Sequence, residues 1–302
     1  MGDPLHPGPR RPGVAASAIS VVVPTYQRAE LTCRALRSVV AQTEAPGEII
    51  LVDDGSSDGT AERVHEQFPQ VRVIVQSNRG VSAARNRGIR DARGELVALL
   101  DSDDEWHPDK LARQVHALSA APWARLCHTD EVWVRRGRRV NPMRKHQKFG
   151  GWIYDKCLPL CAISPSSVLV FRSLLEEVGG FDEDLPACED YDLWLRICAR
   201  HPVLFVPEAL LTKYGGHDDQ LSRRYVGMDR FRIVALERML DSGCLDDGQR
   251  RATLDTLRRK AAVFANGARK RGRIDAAEVV EGKWARFASE WAQATVEADD
   301  RR

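Results

Sequence analysis

The sequence predicts an α/β fold in which a mostly parallel central sheet is flanked by helices and followed by a helical C-terminal extension. Three observations support this prediction. Short apolar runs alternate with helix-periodic segments between residues 18 and 100, as expected of βαβ units. The run at residues 96–100 is continuously apolar, which indicates a strand buried on both faces. Beyond residue 226 the chain contains only charged, helix-periodic segments.

The order of the predicted elements changes near residue 106. Before it, strands are predicted at residues 18–23, 48–52, 71–75 and 96–100. Helices are predicted after the first three strands, beginning with residues 29–41, where apolar residues recur at helical spacing. After residue 106, helices are predicted at residues 108–120, 172–178 and 189–200. The strands predicted there are at residues 125–134, 167–171, 203–206 and 210–214.

Composition excludes several classes of protein. The 302 residues carry a formal net charge of only +2, which argues against a nucleic-acid partner. Seven cysteines, without the paired spacing of a disulfide framework or a zinc site, favour a reducing cytoplasm. No apolar stretch reaches the roughly 18 residues that span a bilayer, so we expect no transmembrane segment. Any membrane contact would be peripheral, at the inner face of the membrane. Residues 1–17 lack an apolar signal-peptide core and are predicted to be a disordered leader.

Three carboxylates follow the apolar run within four positions, at Asp101, Asp103 and Asp104. Ligands of open α/β sheets bind at the carboxyl ends of the strands, so these acids lie where a ligand is expected. Crowded carboxylates repel one another unless a cation joins them, and Mg²⁺ is commonly held by one or two carboxylates and substrate phosphates. The sequence therefore predicts a metal–diphosphate site. The alternative is an acidic turn that caps the next helix, since similar triplets occur at residues 182–184 and 190–192.

Six segments, taken in order, resemble those of the family 2 glycosyltransferases, which have the GT-A fold. They are VVVPTY at 21–26, VDDGSSDGT at 52–60, NRGVSAARN at 78–86, DSDD at 101–104, EDYDLW at 189–194 and HDDQLS at 217–222. Each segment alone is a weak signal, but their order and spacing together are specific. The resemblance implies a GT-A domain at residues 18–225, with a nucleotide-binding half at 18–105 and an acceptor half at 106–225. Residues 226–302 form the helical extension outside it.

The resemblance also implies a donor site for a nucleotide-diphosphate sugar, with a UDP-sugar favoured. The residues that would contact this donor are Pro24, Thr25, Tyr26, Asp53, Arg85, Asp101, Ser102 and Glu189. Asp53 would bind the base, Asp101 would approach the ribose or the metal, and Asp103 would bind a divalent metal, Mg²⁺ or Mn²⁺. The residues themselves leave alternatives open. Asp53 could satisfy backbone N–H groups of a strand-to-helix turn, and Arg85 could be an ordinary surface arginine.

Two further roles are implied by the resemblance. Asp190 would be the general base that takes a proton from the acceptor hydroxyl, and His217 would reach the metal or the diphosphate. The alternatives are helix capping by Asp190, since acids favour the first turn of a helix, and an ordinary surface histidine. Asp104 is expected to cap or support the loop. The basic stretch at residues 135–148 is either a solvated hairpin or a contact for an acidic or phosphorylated acceptor or for the diphosphate.

The predicted function is inverting transfer of a sugar to the hydroxyl of a glycan, lipid-linked or other acceptor, in polysaccharide, lipopolysaccharide or other glycoconjugate synthesis. One alternative is a nucleotidyltransferase, although the loop at residues 24–28 lacks the glycines expected after the first strand of such an enzyme. The other is a sugar-nucleotide-binding module without catalysis, which would be expected to lack one of the site acids. The pattern of the helical extension does not decide among a homodimer contact, an acceptor cover and a membrane contact.

Overall fold

A computed structural model describes residues 14–216, 225 and 227–299, with side chains as far as residue 293. The strands within these residues are β1 (Ile19–Thr25), β2 (Glu48–Asp53), β3 (Val71–Val75), β4 (Leu96–Leu99), β5 (Glu105–Trp106), β6 (Leu126–Arg135), β7 (Arg138–Val140), β8 (Leu169–Phe171) and β9 (Leu204–Gly215). The α-helices within them are α1 (Ala29–Val40), α2 (Thr60–Gln67), α3 (Val81–Asp91), α4 (Lys110–Ala120), α5 (Tyr154–Cys157), α6 (Arg172–Glu177), α7 (Glu189–Cys198), α8 (Asp229–Asp241), α9 (Asp247–Lys270) and α10 (Ile274–Asp299).

The strands form one sheet in the order β3-β2-β1-β4-β8-β6-β9-β5, with β7 paired to β6. The first four strands of this order are parallel to one another. Strand β8 runs antiparallel to β4 and β6, whereas β6 and β9 are parallel. The predicted α/β fold with helices on both faces is therefore confirmed, and the antiparallel pairings lie mostly in the second half of the sheet.

Strand β1 is buried along its whole length because it lies between β2 and β4. Its alternate residues enter two separate cores, with Val22 on one face and Val21 and Val23 on the other. Helix α3 packs closely on the first of these faces, where a Cβ at Gly88 would lie 2.3 Å from Val22 Cγ1. This close approach places Arg85, three residues earlier on the same helix, near the carboxyl end of the sheet.

One strand prediction was wrong in the second half of the domain. The segments predicted as strands at 203–206 and 210–214 form the single strand β9, which pairs with β6 near both of its ends. The register shifts opposite Thr129 and Asp130, so that Pro207 and Glu208 lie at a bulge rather than in a loop. Proline is tolerated in a sheet at such irregular positions, which explains why a local break in the pattern does not end the strand.

The helical extension shares a hydrophobic core with the second half of the α/β domain. Ile233, Leu257 and Phe287 belong to the same buried cluster as Trp194 of α7. Polar contacts join the same parts, because Lys260 Nζ donates to the backbone oxygen of Pro159 at 3.0 Å. An Asp246–Gln249 capping box starts α9. None of the described helices is both long and apolar enough to cross a membrane.

Helix α4 carries a lysine in the apolar interior. Lys110 is fully buried, donates to Gln114 Oε1 at 2.7 Å and lies 4.1 Å above the Trp106 ring. Burial lowers the pKa of Lys110 to about 7. The unfolded chain, with an ordinary lysine pKa of about 10.4, therefore binds more protons than the folded protein between these two values. Stability should rise with pH across this window, because Lys110 is already neutral in the folded protein and the free-energy advantage of protonating the unfolded lysine shrinks as the pH rises.

We therefore expect Lys110→Met to stabilise the fold most at about pH 7 and to lose that advantage as the pH approaches about 10. The difference in unfolding free energy from wild type should narrow by at most about 1.4 kcal/mol per pH unit. Urea unfolding at several pH values measures it, with the exposed Lys156→Met as the control. A difference that stays constant across this range would show that the buried ammonium remains charged.

Candidate functional site

The carboxyl ends of β1, β2 and β4 meet at one edge of the sheet because these strands are parallel. Thr25, the last residue of β1, lies opposite Asp53, the last residue of β2. The acidic loop begins directly after β4, at the same edge. The residues predicted to bind the donor from these three segments are therefore neighbours, as the strand-end argument predicts.

The first of these segments is only partly exposed. Pro24 and Thr25 are buried in β1, where the Thr25 hydroxyl lies 2.7 Å from that of Thr32. Tyr26 is 45% exposed, and Gln27 has a φ of +52°, which a residue with a side chain rarely adopts. Of these residues, Tyr26 thus offers the side chain that can lie against a nucleoside.

Asp53 and Asp54 both hold backbone N–H groups. Asp53 is buried, and its Oδ1 accepts from the Ser56 N–H at 2.8 Å. Asp54 accepts from the N–H groups of Arg79 at 2.9 Å and Gly80 at 2.7 Å, which fastens the loop before α3 to the end of β2. The turn contact considered as the alternative for Asp53 is therefore present, and its role in base binding remains a prediction.

Arg85 joins three parts of the site. Its Nη2 donates to Asp101 Oδ1 and its Nη1 to Glu189 Oε1, both at 2.7 Å. The guanidinium also lies 4.9 Å from the centre of the Phe181 ring. The alternative of an ordinary surface arginine is wrong, because the side chain is only 4% exposed. Arg85 thereby fixes the first acid of the DSDD loop against the start of α7.

The remaining residues of the DSDD loop are held from two sides. Arg28 Nη1 lies 3.1 Å from Asp103 Oδ2, and Arg34 donates to the Asp103 backbone oxygen at 2.6 Å. Asp104 is buried and accepts from the Ser166 hydroxyl at 2.7 Å and the Tyr214 N–H at 3.1 Å. These contacts match the expected supporting role of Asp104. Ser102 is buried within the loop.

Asp190 lies in the first turn of α7, which begins after a strained residue. Cys188 has a φ of +63° although it carries a side chain. Such strain is found at functional sites, where surrounding contacts hold it. The Asp190 carboxylate accepts from the Tyr191 N–H at 2.7 Å and from the Cys161 thiol at 3.2 Å. It is partly exposed, so a ligand from solvent can reach it.

A buried set of charges links these two acidic regions. Lys213 of β9 and Lys148 both donate to the Ser164 hydroxyl, at 3.3 Å and 3.5 Å, and Lys148 also pairs with Glu131 at 3.3 Å. Burial opposes the charge on Lys213, but the charges of Glu131, Asp104, Asp101 and Asp190 outweigh it and raise the pKa of Lys213. Lys213 is therefore a cation that stabilises acids on both sides of the site.

Burial and charge act in opposite directions on the acids. Burial opposes ionisation of Asp101, but Arg85, with smaller effects of Lys213 and Arg28, lowers the pKa of Asp101. Burial raises the pKa of Asp104 well above its ordinary value, and the charge of Asp103 adds to this effect. Burial and then the charge of Asp190 raise the pKa of Glu189. Asp101 is therefore the acid of these three whose pKa is lowered, whereas at Glu189 burial and the Asp190 charge outweigh the same arginine.

The carboxylates of the DSDD loop fit a hard divalent cation, of the kind that also binds substrate phosphates. Asp101 and Asp103 supply carboxylate oxygens, and one oxygen of each already faces an arginine. Mg²⁺ commonly uses one or two carboxylates plus phosphate oxygens, so a larger protein cage is not required. Across residues 14–216, 225 and 227–299, no three side chains of His, Cys, Asp or Glu form a metal site by themselves. The predicted ligand His217 lies outside the described residues.

The sequence argument missed four residues of this site. Arg28 could have been found, because it lies in the loop that follows the first strand at the ligand edge. Lys213 had a weaker signal, a charged residue inside an otherwise strand-like segment. Cys161 and Ser166 had none, since nothing in the local pattern indicates that these side chains reach Asp190 and Asp104.

Comparison with known proteins identifies the family. The model described as glycosyl transferase family 2 matches residues 20–178, more than half of the chain. The chain belongs to glycosyl transferase family 2. An uncharacterized glycosyltransferase of Rickettsia conorii is 31% identical over 224 residues, which cover 68% of this chain and 35% of that protein. The chain thus spans about a third of the length of this relative. The uncharacterized glycosyltransferase YwdF of Bacillus subtilis is 30% identical over 194 residues, covering 63% of this chain and 71% of YwdF.

Solved structures share the fold of this family member. S. aureus TarS (residues 1–349), crystallised with UDP-GlcNAc, superposes with a TM-score of 0.70 at 20% identity, covering 91% of this chain and 81% of that one. The mannosyltransferase PcManGT of Pyrobaculum calidifontis, in complex with GDP-Man and Mn²⁺, gives a TM-score of 0.56 at 20% identity, covering 96% of this chain and 84% of that one. At this identity the likeness establishes the fold, and the predicted GT-A architecture is confirmed.

Proposed function

We propose that this chain transfers a sugar from a nucleotide-diphosphate sugar to an acceptor hydroxyl, with inversion at the anomeric carbon. One observation carries the proposal: Arg85 ties Asp101 to Glu189, the neighbour of Asp190. The acids predicted to bind the donor and the acid predicted to act as base therefore share one site. Family membership supports the same class of reaction.

In the proposed reaction, Asp190 accepts the proton of the acceptor hydroxyl as its oxygen attacks the anomeric carbon from the face opposite the diphosphate. The new glycosidic C–O bond forms while the bond to the diphosphate breaks, and the nucleoside diphosphate leaves with the electron pair. No covalent sugar–enzyme intermediate is needed. The contacts of Asp190 with Tyr191 and Cys161 hold its carboxylate in place, which supports a positioning contribution to the rate.

The donor is proposed to lie along the carboxyl edge of β1, β2 and β4. Tyr26 would lie against the nucleoside and Asp53 would bind the base, with Pro24, Thr25, Arg85, Ser102 and Glu189 shaping the same region. UDP is favoured as the nucleotide, and the UDP-GlcNAc complex of TarS supports that choice. The GDP-Man complex of PcManGT makes GDP the second nucleotide to test.

Asp101 and Asp103 are the proposed residues for a divalent cation, Mg²⁺ or Mn²⁺, and His217 is proposed as a further contact. When bound, such an ion neutralises the charge of the departing diphosphate as a Lewis acid. The Mn²⁺ complex of PcManGT supports the choice of ion. The chain places its own positive charge in the same region, because Arg28 pairs with Asp103 and Lys213 lies among the neighbouring acids.

The acceptor is proposed to be a glycan, lipid-linked or other hydroxyl compound, as in glycoconjugate synthesis. The cellular location proposed is the cytoplasm, with peripheral membrane contact as an option for the helical extension. All seven cysteines are free, which supports a reducing compartment.

A panel of UDP- and GDP-sugars, with and without Mg²⁺ or Mn²⁺, tests the function. We expect UDP-sugars to raise the melting temperature in a metal-dependent way and to release UDP slowly, with EDTA stopping the release. Stabilisation by a nucleotide sugar without any turnover would instead indicate a binding module. Pyrophosphate release from UTP and a sugar phosphate would indicate a nucleotidyltransferase.

Asp103→Ala should lower the kcat/KM for UDP release by about 10²-fold or more, because it removes a proposed metal ligand at the leaving diphosphate. Steady-state assays across a metal titration measure this change. Asp184→Ala, which removes an exposed acid from a turn outside the site, is the matched control. Full metal-dependent activity in Asp103→Ala would show that the DSDD loop does not hold the metal.

A further inference from the structure

The segment of residues 135–148, here called the basic arm, concentrates positive charge. Seven of the 45 Lys and Arg residues of the chain lie in it, together with none of the 43 acids. The remaining residues therefore carry a net charge of −5. The net charge of +2 is therefore the sum of a strongly cationic segment and a remainder that is net acidic.

Apart from Lys148, which pairs with Glu131, the cations of the basic arm are turned to solvent and have no carboxylate partner among the described residues. Six of its cations are exposed: Arg135, Arg136, Arg138, Arg139, Arg144 and Lys145. Within the part of the chain that the structure describes, none of the six forms an ion pair with a carboxylate. Some exposed arginines elsewhere do have acidic partners, as Arg79 has Glu183 and Arg63 has Glu30. The basic arm therefore has positive charge available for an external anion.

Trp133 holds the two sides of the basic arm together. Its ring lies 4.9 Å from the His146 ring and 5.5 Å from the Arg135 guanidinium. Its indole N–H donates to Glu131 at 2.7 Å, which fixes the ring on the end of β6. The exposed charges are thus carried on a framework that is joined to the sheet.

Both ends of the basic arm reach the proposed active site. Near its start, Arg136 and Gly137 line a cleft of about 260 Å³ together with Asp103 and Tyr214. At its end, Lys148 contacts Ser164, which lies on the same loop as Cys161, the partner of Asp190. The basic arm therefore extends between the proposed metal ligand and the neighbourhood of the proposed base.

We propose that the basic arm binds an anionic acceptor, a chain bearing phosphate or carboxylate groups, while one of its hydroxyls lies at Asp190. This inference rests on the proposed function and adds the chemical class of the acceptor. The donor diphosphate is a less suitable ligand, because four of the exposed cations lie beyond the cleft, at positions 138, 139, 144 and 145. A membrane surface is also less suitable, because Met143 is the one large apolar side chain of the arm that is strongly exposed.

The test uses the full chain with four arm charges removed: Arg138→Gln, Arg139→Gln, Arg144→Gln and Lys145→Gln together. The matched control removes four exposed, unpaired charges from the helical extension: Arg251→Gln, Lys270→Gln, Arg271→Gln and Arg273→Gln. Both variants lose the same net charge, so any difference between them reports on the location of the charge. Polyphosphate is the anionic probe and dextran the neutral one, each measured with and without saturating UDP.

We expect wild type and the control to bind polyphosphate with an affinity that falls as salt rises, and to ignore dextran. The arm variant should bind polyphosphate about tenfold more weakly, since exposed pairs contribute modestly and four are lost. Transfer from UDP-sugar to a phosphorylated saccharide should fall similarly in the arm variant, while slow UDP release to water should not change. Transfer to the same saccharide without phosphate should be weak in all three proteins.

Several results would overturn the proposal. Equal polyphosphate affinity in the arm variant and wild type would show that the arm is not the binding surface. Displacement of polyphosphate by UDP, or a raised donor KM in the arm variant, would assign the arm to the diphosphate. Arm-dependent binding to phosphatidylglycerol vesicles without an effect on transfer would assign it to a membrane.

If UDP-sugars are neither bound nor turned over by wild type, the proposed function itself fails. Turnover without polyphosphate binding removes only the arm inference.

Discussion

Asp190→Asn should lower the rate of sugar transfer by about 10²- to 10⁴-fold, the usual range for loss of a general base. The amide has nearly the shape of the carboxylate, and its single oxygen can still accept from the Tyr191 N–H, although the contact of the Cys161 thiol with the second carboxylate oxygen is lost. It cannot take the acceptor proton. The loss should therefore appear in kcat, whereas the affinity for the donor should stay close to that of wild type.

Two measurements separate this effect from a folding defect. Thermal stabilisation by UDP should be equal in wild type and Asp190→Asn, because Asp190 is not among the proposed contacts of the donor. Asp155→Asn, an exposed acid of the same half of the domain, should have full activity. Unchanged transfer by Asp190→Asn would assign the acid to helix capping, which was the alternative drawn from the sequence.

Arg85→Met should destabilise the fold by about 3–5 kcal/mol, the range measured when one partner is removed from a buried ion pair. The variant leaves Asp101 and Glu189 without the cation that holds both at 2.7 Å. Urea unfolding measures the change in unfolding free energy. The stability of Arg85→Lys should lie between those of wild type and Arg85→Met. An ammonium keeps the positive charge but cannot present the two fixed donors of a guanidinium.

A second arginine of α3 provides the control for Arg85. Arg87 pairs with Asp91 on the same helix, but its side chain is 42% exposed. Arg87→Met should lower the unfolding free energy by less than about 1 kcal/mol, as is usual for exposed ion pairs. The double variant Arg85→Met with Glu189→Gln should recover part of the loss, because it removes one of the uncompensated charges. Equal losses for the two arginine variants would show that burial does not strengthen the Arg85 contacts.

The sequence alone determined the central strands and the positions where chemistry follows them. Central strands such as β1 and β4 are buried on both faces, so their continuous apolar runs are visible without a structure. Parallel strands end at one edge, so the residues after each run could be placed together before any distance was known. Thr25, Asp53 and the DSDD loop are neighbours for this reason.

The tertiary structure decided which of these residues contact one another. Arg85 meets Asp101 across 16 positions of the chain and Glu189 across 104, and no local pattern encodes a contact between residues so far apart. The same holds for Lys213. It lies among the acids of the site because of the register of β9, which depends on a bulge. Local periodicity fixes which face of a strand or helix is apolar. The partner of a buried charge depends instead on how helices cross the sheet and how strands pair, and those are properties of the folded chain.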